Sequence, residues 1–263
     1  MDYLKRSLAP ITDAGWDEID DQAREVLISQ LTGRKFVDVT DPQGWYFSAV
    51  SEGRLDIKED DPGKVRYGTR KTSPLVETRT SFNLNIWELD NLSRGAKDLD
   101  LSPLEAAAEK AAQFEEDVIY KGLKDSEIKG LTQVSETSFD IPEGPEGIVE
   151  AISKGVMTLQ DTSIEGPYSM VANRDLWQKI AKSSKGYPLK RHLEDLIDGS
   201  IIYNPHLDNA LLLSTRGGDY ELILGQDFSI GYENHDSTEV KLFLTESFSF
   251  RILEPGAVVT LTQ

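Results

Sequence analysis

A hairpin without a hydrophobic core of its own constrains this chain more than any other feature. The segment that starts at Tyr46 reads as two strands, YFSAVSEGRLDI and KVRYGTR, joined through KEDDPGK. Pro62-Gly63 fits the middle of a type II turn, because Pro fixes φ near −65° and Gly accepts the positive φ that follows. Neither arm has enough large apolar side chains for a core, and an isolated two-stranded hairpin is marginal in water. The hairpin therefore needs a surface to lie on, in this chain or in another.

The segment formed by the second strand of this hairpin and the residues after it is basic, although the 263-residue chain has a formal net charge of −18. Residues 63–84 contain one acidic residue, Glu77, and the basic residues Lys64, Arg66, Arg70, Lys71 and Arg79. Two interpretations stay open: a solvated strand face, or a face that docks on an acidic surface of another copy. The net charge argues against nucleic acid as the main partner, because phosphate binding needs clustered Lys and Arg.

Composition also indicates the compartment. The chain has no cysteine, which removes disulfides, thiolate metal sites and cysteine nucleophiles and fits a reducing environment. Its first residues, MDYLKRSLAPITDAGW, lack the apolar segment of a signal peptide, and no stretch approaches the length of a membrane span. We therefore predict a cytoplasmic protein that has no membrane partner.

Apolar residues at helical spacing predict two well-defined helices. The first lies in DAGWDEIDDQAREVLISQLTG and is followed by a predicted strand, RKFVDV. The second lies in LSPLEAAAEKAAQFEEDVIYKG. We expect it to start at an N-cap Ser102, with Glu105 completing a capping box, and to stop at Gly122.

The second half of the chain alternates helices and strands and becomes β-rich from Ser200 onward. Gly217-Gly218, between two apolar runs, is typical of a tight hairpin turn. The order of strands, helices, mixed elements and strands again predicts an α+β fold rather than a doubly wound one.

Motifs that carry catalysis are absent from the sequence. There is no G-x-G-x-x-G, P-loop, H-E-x-x-H or G-x-S-x-G pattern. The three histidines, His192, His206 and His235, lie in different segments without metal-ligand spacing. The run Glu115-Glu116-Asp117 is interpreted as a solvated helix face, since adjacent helical residues point about 100° apart. We predict no catalytic residue and no metal site.

Two pairs of residues allow a more specific interpretation. Arg34 and Asp38 flank KFV, and they form either a local surface ion pair or a polar clamp beside an apolar groove at the first helix.

Trp87 follows Arg79 by eight residues. A Trp at the end of a strand usually belongs to the core, which is the favoured interpretation; an exposed Trp near an Arg would instead stack on a planar ligand or base.

Several longer segments resemble one family. YLKRSLAPIT, GRKFVDV, IWELDNL, GPYSMVAN and RGGDYELILGQDFSIGYE look like the encapsulins, in order, from residue 2 to about residue 255. The resemblance implies an α+β chain with the Hong Kong 97-type phage major capsid fold. The N-terminal helix also resembles that of the cargo-loading encapsulins, whereas phage capsid proteins of this fold have a scaffolding segment there.

The resemblance implies a division of the chain into domains. In order, these are 1–45 for the N-terminal helix and first strand of a peripheral domain, 46–71 for an extended loop that lies across a neighbouring subunit, 72–129 for the peripheral domain with its long helix, 130–224 for an axial domain around the five-fold vertices, and 225–263 for the C-terminal strands of the peripheral domain.

The same resemblance implies three sites. A groove on the inner wall of the shell binds the C-terminal targeting peptide of a cargo enzyme, and it maps onto Val26, Leu27, Leu31, Arg34, Asp38, Ile230 and Tyr232. A loop at the five-fold pore maps onto Ser183, Ser184, Lys185, Gly186 and Tyr187. On the outer face, a flavin contact maps onto Trp87 and Arg79, so that flavin is an expected optional cofactor and none is required.

The function implied by the resemblance is structural. Sixty copies are expected to close into an icosahedral nanocompartment that catalyses nothing itself and admits small ions and substrates through pores. The expected cargo is a dye-decolourising peroxidase or a ferritin-like protein, with roles in oxidative stress or iron storage. The alternative is a phage or prophage major capsid protein that packages DNA. A peptidase or bacteriocin-like hydrolase is disfavoured by the missing catalytic motifs.

Overall fold

A computed structural model describes residues 3–58, 65–182 and 188–262 of the chain. The helices are α1 (Asp13–Gln30), α2 (Ile86–Ser93), α3 (Ser102–Lys121), α4 (Leu131–Val134), α5 (Gly144–Asp161), α6 (Arg174–Lys182) and α7 (Leu189–Ile197). The strands are β1 (Asp38–Val39), β2 (Ala49–Ile57), β3 (Gly68–Pro74), β4 (Val76–Asn85), β5 (Thr137–Asp140), β6 (Tyr168–Ala172), β7 (Ile201–Tyr203), β8 (Ala210–Ser214), β9 (Tyr220–His235), β10 (Glu239–Ile252) and β11 (Val258–Thr262). The predicted α+β class is confirmed.

The first sheet has the strand order β1-β9-β10-β4. β9 and β10 form a long antiparallel hairpin in which Leu244 lies opposite Ile230, and β1 runs parallel to β9. Helices α1 and α3 pack against this sheet through one apolar cluster, which includes Ile19, Leu104 and Leu242. Each of these three side chains is fully buried, so hydrophobic burial fixes both helices on the sheet.

The second sheet has the order β5-β11-β8-β6-β7. Every residue of β6 and β8 is buried, as expected for strands covered on both faces. Helix α5 approaches β8 closely because it has Gly155 at the contact, where a Cβ atom would lie 2.7 Å from Leu212 Cδ2. Helices α5, α6 and α7 contribute their apolar sides to the same core.

The chain crosses between these sheets in two places that the sequence-based interpretation did not anticipate. β11 pairs with β5 and β8, so residues 258–262 lie in the second sheet and not with β9 and β10 of the first. The turn at Gly217-Gly218 joins β8 to β9, which lie in different sheets, and is not a hairpin. The reason is that β6 and β11 already occupy both edges of β8.

The predicted hairpin is confirmed as a separate two-stranded sheet of β2 and β3. Its turn residues Pro62-Gly63 lie outside the described part of the chain. Beyond Val50, β2 is exposed along its length, and β3 is exposed apart from Ser73. The register shifts between Ser51 and Leu55, where Gly53 has a φ of +69°. The arm therefore has no core within the described residues of its own chain.

Helix α3 ends as expected but begins differently. Gly122 follows it with a φ of +77°, which confirms the predicted stop. The capping box was wrong: Asp100 Oδ1 accepts hydrogen bonds from Ser102 N at 3.1 Å and from Ser102 Oγ at 2.6 Å, so Ser102 is the first helical residue. Glu105 instead accepts a hydrogen bond from Gln22 Nε2 on α1 at 2.7 Å.

The acidic run on α3 was also interpreted wrongly. Glu115 and Glu116 are buried, whereas Asp117 forms a surface pair with Lys121. Ionised carboxylates are buried only where donors compensate for the lost water. The donors come from distant parts of the chain, which is why helical periodicity alone did not reveal them.

Candidate functional site

A groove lies between α1 and the β9–β10 hairpin, with a cavity volume of about 390 Å³. This size falls within the range of small-ligand and peptide-anchor pockets. The lining combines apolar side chains with charged ones, and the part formed by Arg34 and Asp227 is called the polar end of the groove. The whole lining consists of Leu4, Arg6, Asp20, Ala23, Arg24, Leu27, Ile28, Leu31, Arg34, Asp227, Phe228, Ser229, Ile230 and Leu244.

Helix α1 forms one wall of the groove because its start and its apolar side are both fixed. Thr12 caps the helix by accepting a hydrogen bond from Gly15 N at 3.2 Å. Ala23, Leu27 and Leu31 follow at helical spacing and are buried, with their outer edges along the groove. Ile28, one residue further round the helix, is 64% exposed and lies at the rim.

The polar end of the groove is built on a short turn rather than on the predicted strand. Only β1 of the segment RKFVDV is strand, and residues Gly33–Lys35 form a single 3₁₀ turn. Gly33 allows the turn to lie close to α3, because a Cβ atom there would lie 2.7 Å from Ile119 Cδ1. The turn brings Arg34 against α3 and β10 instead of placing it in line with Asp38.

Arg34 is surrounded by three carboxylates. Its Nε donates to Glu115 Oε1 at 2.9 Å, and its Nη2 donates to Glu115 Oε2 and to Glu246 Oε1, both at 2.6 Å. Its Nη1 donates to Asp227 Oδ1 at 3.0 Å. The guanidinium also lies 5.2 Å from the centre of the Phe228 ring, which lines the groove. Most donors of Arg34 are therefore directed into the protein and not toward a ligand.

Burial and charge act in opposite directions in this cluster. Burial alone would lower the pKa of Arg34, but the hydrogen bond and charge of Glu115 and the charges of Glu246 and Asp227 raise it, so the guanidinium stays charged. The pKa of Glu246 is raised well above its usual value, chiefly by burial and then by the neighbouring Glu115. Glu115 and Glu246 have no exposed side-chain surface, whereas Asp227 is about half exposed.

Comparison with known proteins assigns the family. Residues 1–249 match the model of the family described as "Encapsulating protein for peroxidase". The type 1 encapsulin shell protein of Mycobacterium tuberculosis is 39% identical over 265 residues, which cover all of both chains. The chain belongs to the encapsulin family.

Solved structures independently give the same fold for this encapsulin. A virus-like particle from Pyrococcus furiosus superposes with a TM-score of 0.65 at 16% identity, covering 93% of this chain and 98% of the other. The capsid of Myoviridae phage XM1 superposes with a TM-score of 0.61 at 14% identity, covering 88% and 91%. The predicted Hong Kong 97-type capsid fold is thereby confirmed.

The structure brings together only part of the predicted peptide site of this encapsulin. Leu27, Leu31, Arg34 and Ile230 line the groove, and their role in peptide binding stays a prediction. Asp38 lies apart from the groove lining, because its Oδ2 accepts a hydrogen bond from Gly218 N at 2.5 Å.

The two other predicted groove residues also lie outside its lining. Val26 is half-buried and packs against the apolar cluster between α1, α3 and the first sheet. Tyr232 is half-buried, and its N–H donates to Leu4 O at 2.8 Å. Its ring lines a different cleft, which also includes Tyr3, Trp45, Arg79 and Phe243.

The two residues of the predicted flavin contact, Trp87 and Arg79, have different surroundings in the structure. Trp87 is 67% exposed in the first turn of α2, so the favoured interpretation of it as a core residue was wrong. The guanidinium of Arg94 lies 6.0 Å from the centre of its ring. Arg79 belongs to the cleft with Tyr232: it donates to Tyr3 Oη and lies 4.2 Å from the Phe243 ring.

The predicted pore residues cannot be placed. Ser183, Ser184, Lys185, Gly186 and Tyr187 all lie outside the described part of the chain, between α6 and α7. In the residues that the structure describes, no group of three acidic or histidine side chains is arranged to hold a metal ion. Over the same residues, no helix has the length and apolar character needed to cross a membrane.

Sequence reasoning missed the residues that shape the polar end of the groove. Glu115 was assigned to the surface, and neither Asp227 nor Glu246 was considered. The separations from Arg34 are 81, 193 and 212 residues, so no local pattern connects these side chains. The one available signal was Glu246, a carboxylate between the apolar residues Leu244 and Phe248 in the middle of β10, because a charged residue in a buried strand requires a partner.

Proposed function

We propose that this encapsulin chain is the structural subunit of an icosahedral nanocompartment, in which sixty copies enclose cargo enzymes and the chain itself catalyses nothing. The observation that supports this most is the β2–β3 arm, which presents apolar side chains to solvent and has no core among the described residues of its own chain. Closed symmetry gives every such arm a neighbouring copy to lie on, so that no strand edge stays unpaired.

The side chains of the arm suit a contact between copies. Leu55, Ile57 and Tyr67 are exposed and apolar, and burial of each Leu or Ile in a neighbour would contribute about 1.5–3 kcal/mol. Arg70 and Lys71 are exposed on β3, in a chain whose net charge is −18. Of the two interpretations of this basic segment, docking on an acidic surface of another copy therefore has more support.

The groove beside α1 is the proposed site for the cargo enzyme's C-terminal peptide. Ala23, Leu27, Leu31 and Ile230 offer an apolar channel for aliphatic anchor residues, as in other complexes of short peptides with grooves. The role of Arg34 differs from that of a clamp on peptide charges, because its donors face Glu115, Glu246 and Asp227. Arg34 instead holds together the polar end of the groove.

A peroxidase is the first proposed cargo, because the matching family is described by its encapsulation of a peroxidase. A dye-decolourising peroxidase or a ferritin-like protein would give the compartment a role in oxidative stress or iron storage. The targeting peptide lies on the cargo protein, so the gene beside the shell gene supplies the natural probe.

The groove is tested by co-expression of the shell with a fluorescent protein that carries the C-terminal peptide of the enzyme encoded beside it. Ile28→Glu places a charge at the exposed rim of the groove, where a folded subunit tolerates it. Met157→Glu is the matched control, since Met157 is 60% exposed on α5 and lies outside the groove lining. We expect Ile28→Glu to reduce captured fluorescence per shell at least tenfold and Met157→Glu to leave it unchanged. Equal capture by both variants would exclude this groove as the peptide site.

A flavin contact at Trp87 is a separate proposal. The exposed indole ring fits a stacked planar ligand, with Arg94 near its edge, whereas Arg79 does not fit because it is held by Tyr3 and Phe243. A bound flavin would add redox chemistry at the outer face. If shells purified with Trp87→Ala retained the flavin absorbance of the unaltered shells, the proposal would have to be abandoned.

Pores and compartment remain predictions from the sequence and the family resemblance. A pore loop at Ser183–Tyr187 would repeat the Lys185 charge around a five-fold axis and admit small ions and substrates. The predicted location is the bacterial cytoplasm.

The alternative function is that of a phage or prophage capsid protein, with which the chain shares its fold. DNA inside purified particles, or portal and terminase genes beside the gene, would support it. A neighbouring peroxidase or ferritin-like gene would support the compartment.

A further inference from the structure

We propose that the polar end of the groove contains a proton-dependent latch, that is, a cluster whose protonation state controls the position of Arg34. One proton on Glu246, hydrogen-bonded to Glu115, holds Arg34 in place, and alkaline solution releases Arg34 by removing this proton. This regulation deepens the proposed function, on which its effect on peptide binding rests. The cluster is defined as Arg34, Glu115, Asp227 and Glu246. It lies at the polar end of the groove, which Arg34 and Asp227 line directly.

The charges in this cluster do not balance if every carboxylate is ionised. One guanidinium then faces three carboxylates, two of which belong to fully buried side chains. Asp227 is about half exposed, so water screens its charge. With one proton on Glu246, the buried charge is one guanidinium against the single carboxylate of Glu115. Neutral pairing of this kind is the condition under which buried charges are tolerated.

The hydrogen bonds indicate where the proton lies. Glu246 Oε1 accepts from Arg34, whereas Glu246 Oε2 is buried and has no hydrogen-bond partner in the described part of the chain. A bare carboxylate oxygen without a donor is costly, but a protonated Oε2 becomes a donor itself. The Glu115 carboxylate beside it is an acceptor, and its proximity contributes to the raised pKa of Glu246.

Among the described residues, the surrounding elements supply no second cation to the pair. Helix α3 contributes Glu115, the turn contributes Arg34, and β9 contributes Asp227. Strand β4 contributes an uncharged residue, Thr78, whose hydroxyl donates to Glu246 O at 3.4 Å. On the α1 side, the charges that line the groove are already paired, Arg6 with Asp20 and Arg24 with Asp21.

Deprotonation changes the groove through Arg34. When hydroxide removes the proton from Glu246 Oε2, two adjacent buried carboxylates compete for one guanidinium and repel each other. The cluster then relaxes toward Asp227 and solvent, where ionised groups are hydrated. Because Arg34 packs on Phe228 of the groove wall, its displacement disturbs the surface that the peptide contacts. Peptide affinity should therefore fall by up to about tenfold per pH unit above the midpoint of this titration.

The test uses purified shells of three chains: the unaltered one, Glu246→Gln and Glu109→Gln. Glutamine at 246 keeps an oxygen for Arg34 and places a permanent N–H donor toward Glu115. Glu109→Gln makes the same chemical change on the exposed side of α3. Infrared spectroscopy detects a protonated carboxyl group at pH 7, and thermal unfolding is followed from pH 7 to pH 10. Fluorescence anisotropy then measures binding of the labelled C-terminal peptide of the neighbouring enzyme.

Glu116, with a pKa of about 7, contributes part of the protonated carboxyl band at pH 7, so we expect Glu246→Gln to lower the intensity of this band and Glu109→Gln to leave it unchanged. Above neutral pH, the Tm of the unaltered and control shells should fall relative to that of Glu246→Gln, and only Glu246→Gln should bind the peptide with constant affinity. A band of equal intensity in the unaltered chain and in Glu246→Gln, or an identical pH response of Tm in all three chains, would overturn the latch. Failure of every shell to bind the peptide at every pH would instead refute the peptide groove. In that case the infrared band and the Tm would still show whether Glu246 carries a proton.

Discussion

At the scale of single residues, Glu116 shows how one buried carboxylate connects distant parts of the fold. It lies on α3 and accepts hydrogen bonds from the Thr32 hydroxyl, from Gly33 N at 2.8 Å and from Asn204 Nδ2 at 3.1 Å. Thr32 and Gly33 lead into the turn that carries Arg34, and Asn204 follows β7 of the second sheet. Burial raises the pKa of Glu116 to about 7, although these hydrogen bonds oppose the shift.

This shift predicts a pH dependence of stability. Between its unfolded pKa of 4.5 and its folded pKa of about 7, Glu116 binds a proton in the native state that the unfolded chain has released. Stability should therefore fall as pH rises through this window, by on the order of 3 kcal/mol per subunit. We expect Glu116→Gln to flatten the change in unfolding free energy between pH 5 and pH 8. Urea unfolding at both pH values measures it, and an unaltered slope in Glu116→Gln would contradict the assignment.

Residues of the groove were predictable where periodicity identifies them and not elsewhere. The apolar spacing of α1 predicts that Leu27 and Leu31 lie on the apolar side of the helix, and the resemblance assigned them to the groove together with Ile230 from β9. Asp38 was misplaced because RKFVDV resembles an alternating strand, whereas Gly33 allows the chain to turn tightly against α3. The partners of Arg34 depend on tertiary contacts between α3, β9 and β10, for which one sequence contains no local signal.

At the scale of elements, the sequence predicts what each element is better than where it goes. The apolar residues of α3 gave a reliable helix, and Gly122 gave its end. The start was wrong because Asp100, outside the helix, accepts hydrogen bonds from Ser102 N and Ser102 Oγ, so that the hydroxyl expected to cap the helix is already engaged. The sequence does not predict which sheet β11 joins, because pairing is decided by free strand edges, which are a property of the folded sheet.

The end of α3 gives a prediction about a glycine at which backbone strain and crowding act together. Gly122 and Gly218 have φ values of +77° and +81°, but Gly122 also has a ψ of 175°, a conformation essentially restricted to Gly, and a Cβ atom there would lie 2.5 Å from Ile128 O. Gly218→Ala should cost about 1 kcal/mol, the typical strain of a left-handed residue. Gly122→Ala should cost at least about 3 kcal/mol. Chemical denaturation of both variants measures the difference, and equal losses would contradict the added cost of strain and crowding at Gly122.

The arm predicts that assembly and folding are separable. Leu55→Asp with Ile57→Asp places charges on exposed β2 residues, so the subunit should fold normally. Loss of about 1.5–3 kcal/mol at each position in every copy should prevent shell closure. Asp56→Asn, between these residues on the same strand, is the matched control and should assemble. Native mass spectrometry and circular dichroism distinguish the cases, and intact shells of the double variant would argue against arm docking.

At the scale of the whole molecule, the described residues form two sheets with their helices and one arm that projects from them. The resemblance predicted this capsid architecture, and the TM-score of 0.65 to a virus-like particle confirms it. The size of a shell is set by small angles between neighbouring subunits, which are a property of the assembly. Sixty copies is therefore a proposal, whereas membership of the encapsulin family is established.

The central claim is that this chain closes into a shell through its arm, and the mass of the particle that it forms alone tests this most directly. The chain is expressed without cargo and studied by mass photometry and negative-stain electron microscopy. We expect uniform hollow particles with a mass near sixty times 29.4 kDa and no enclosed DNA. A monodisperse monomer or dimer would mean that the arm folds back on its own chain, and would contradict the account.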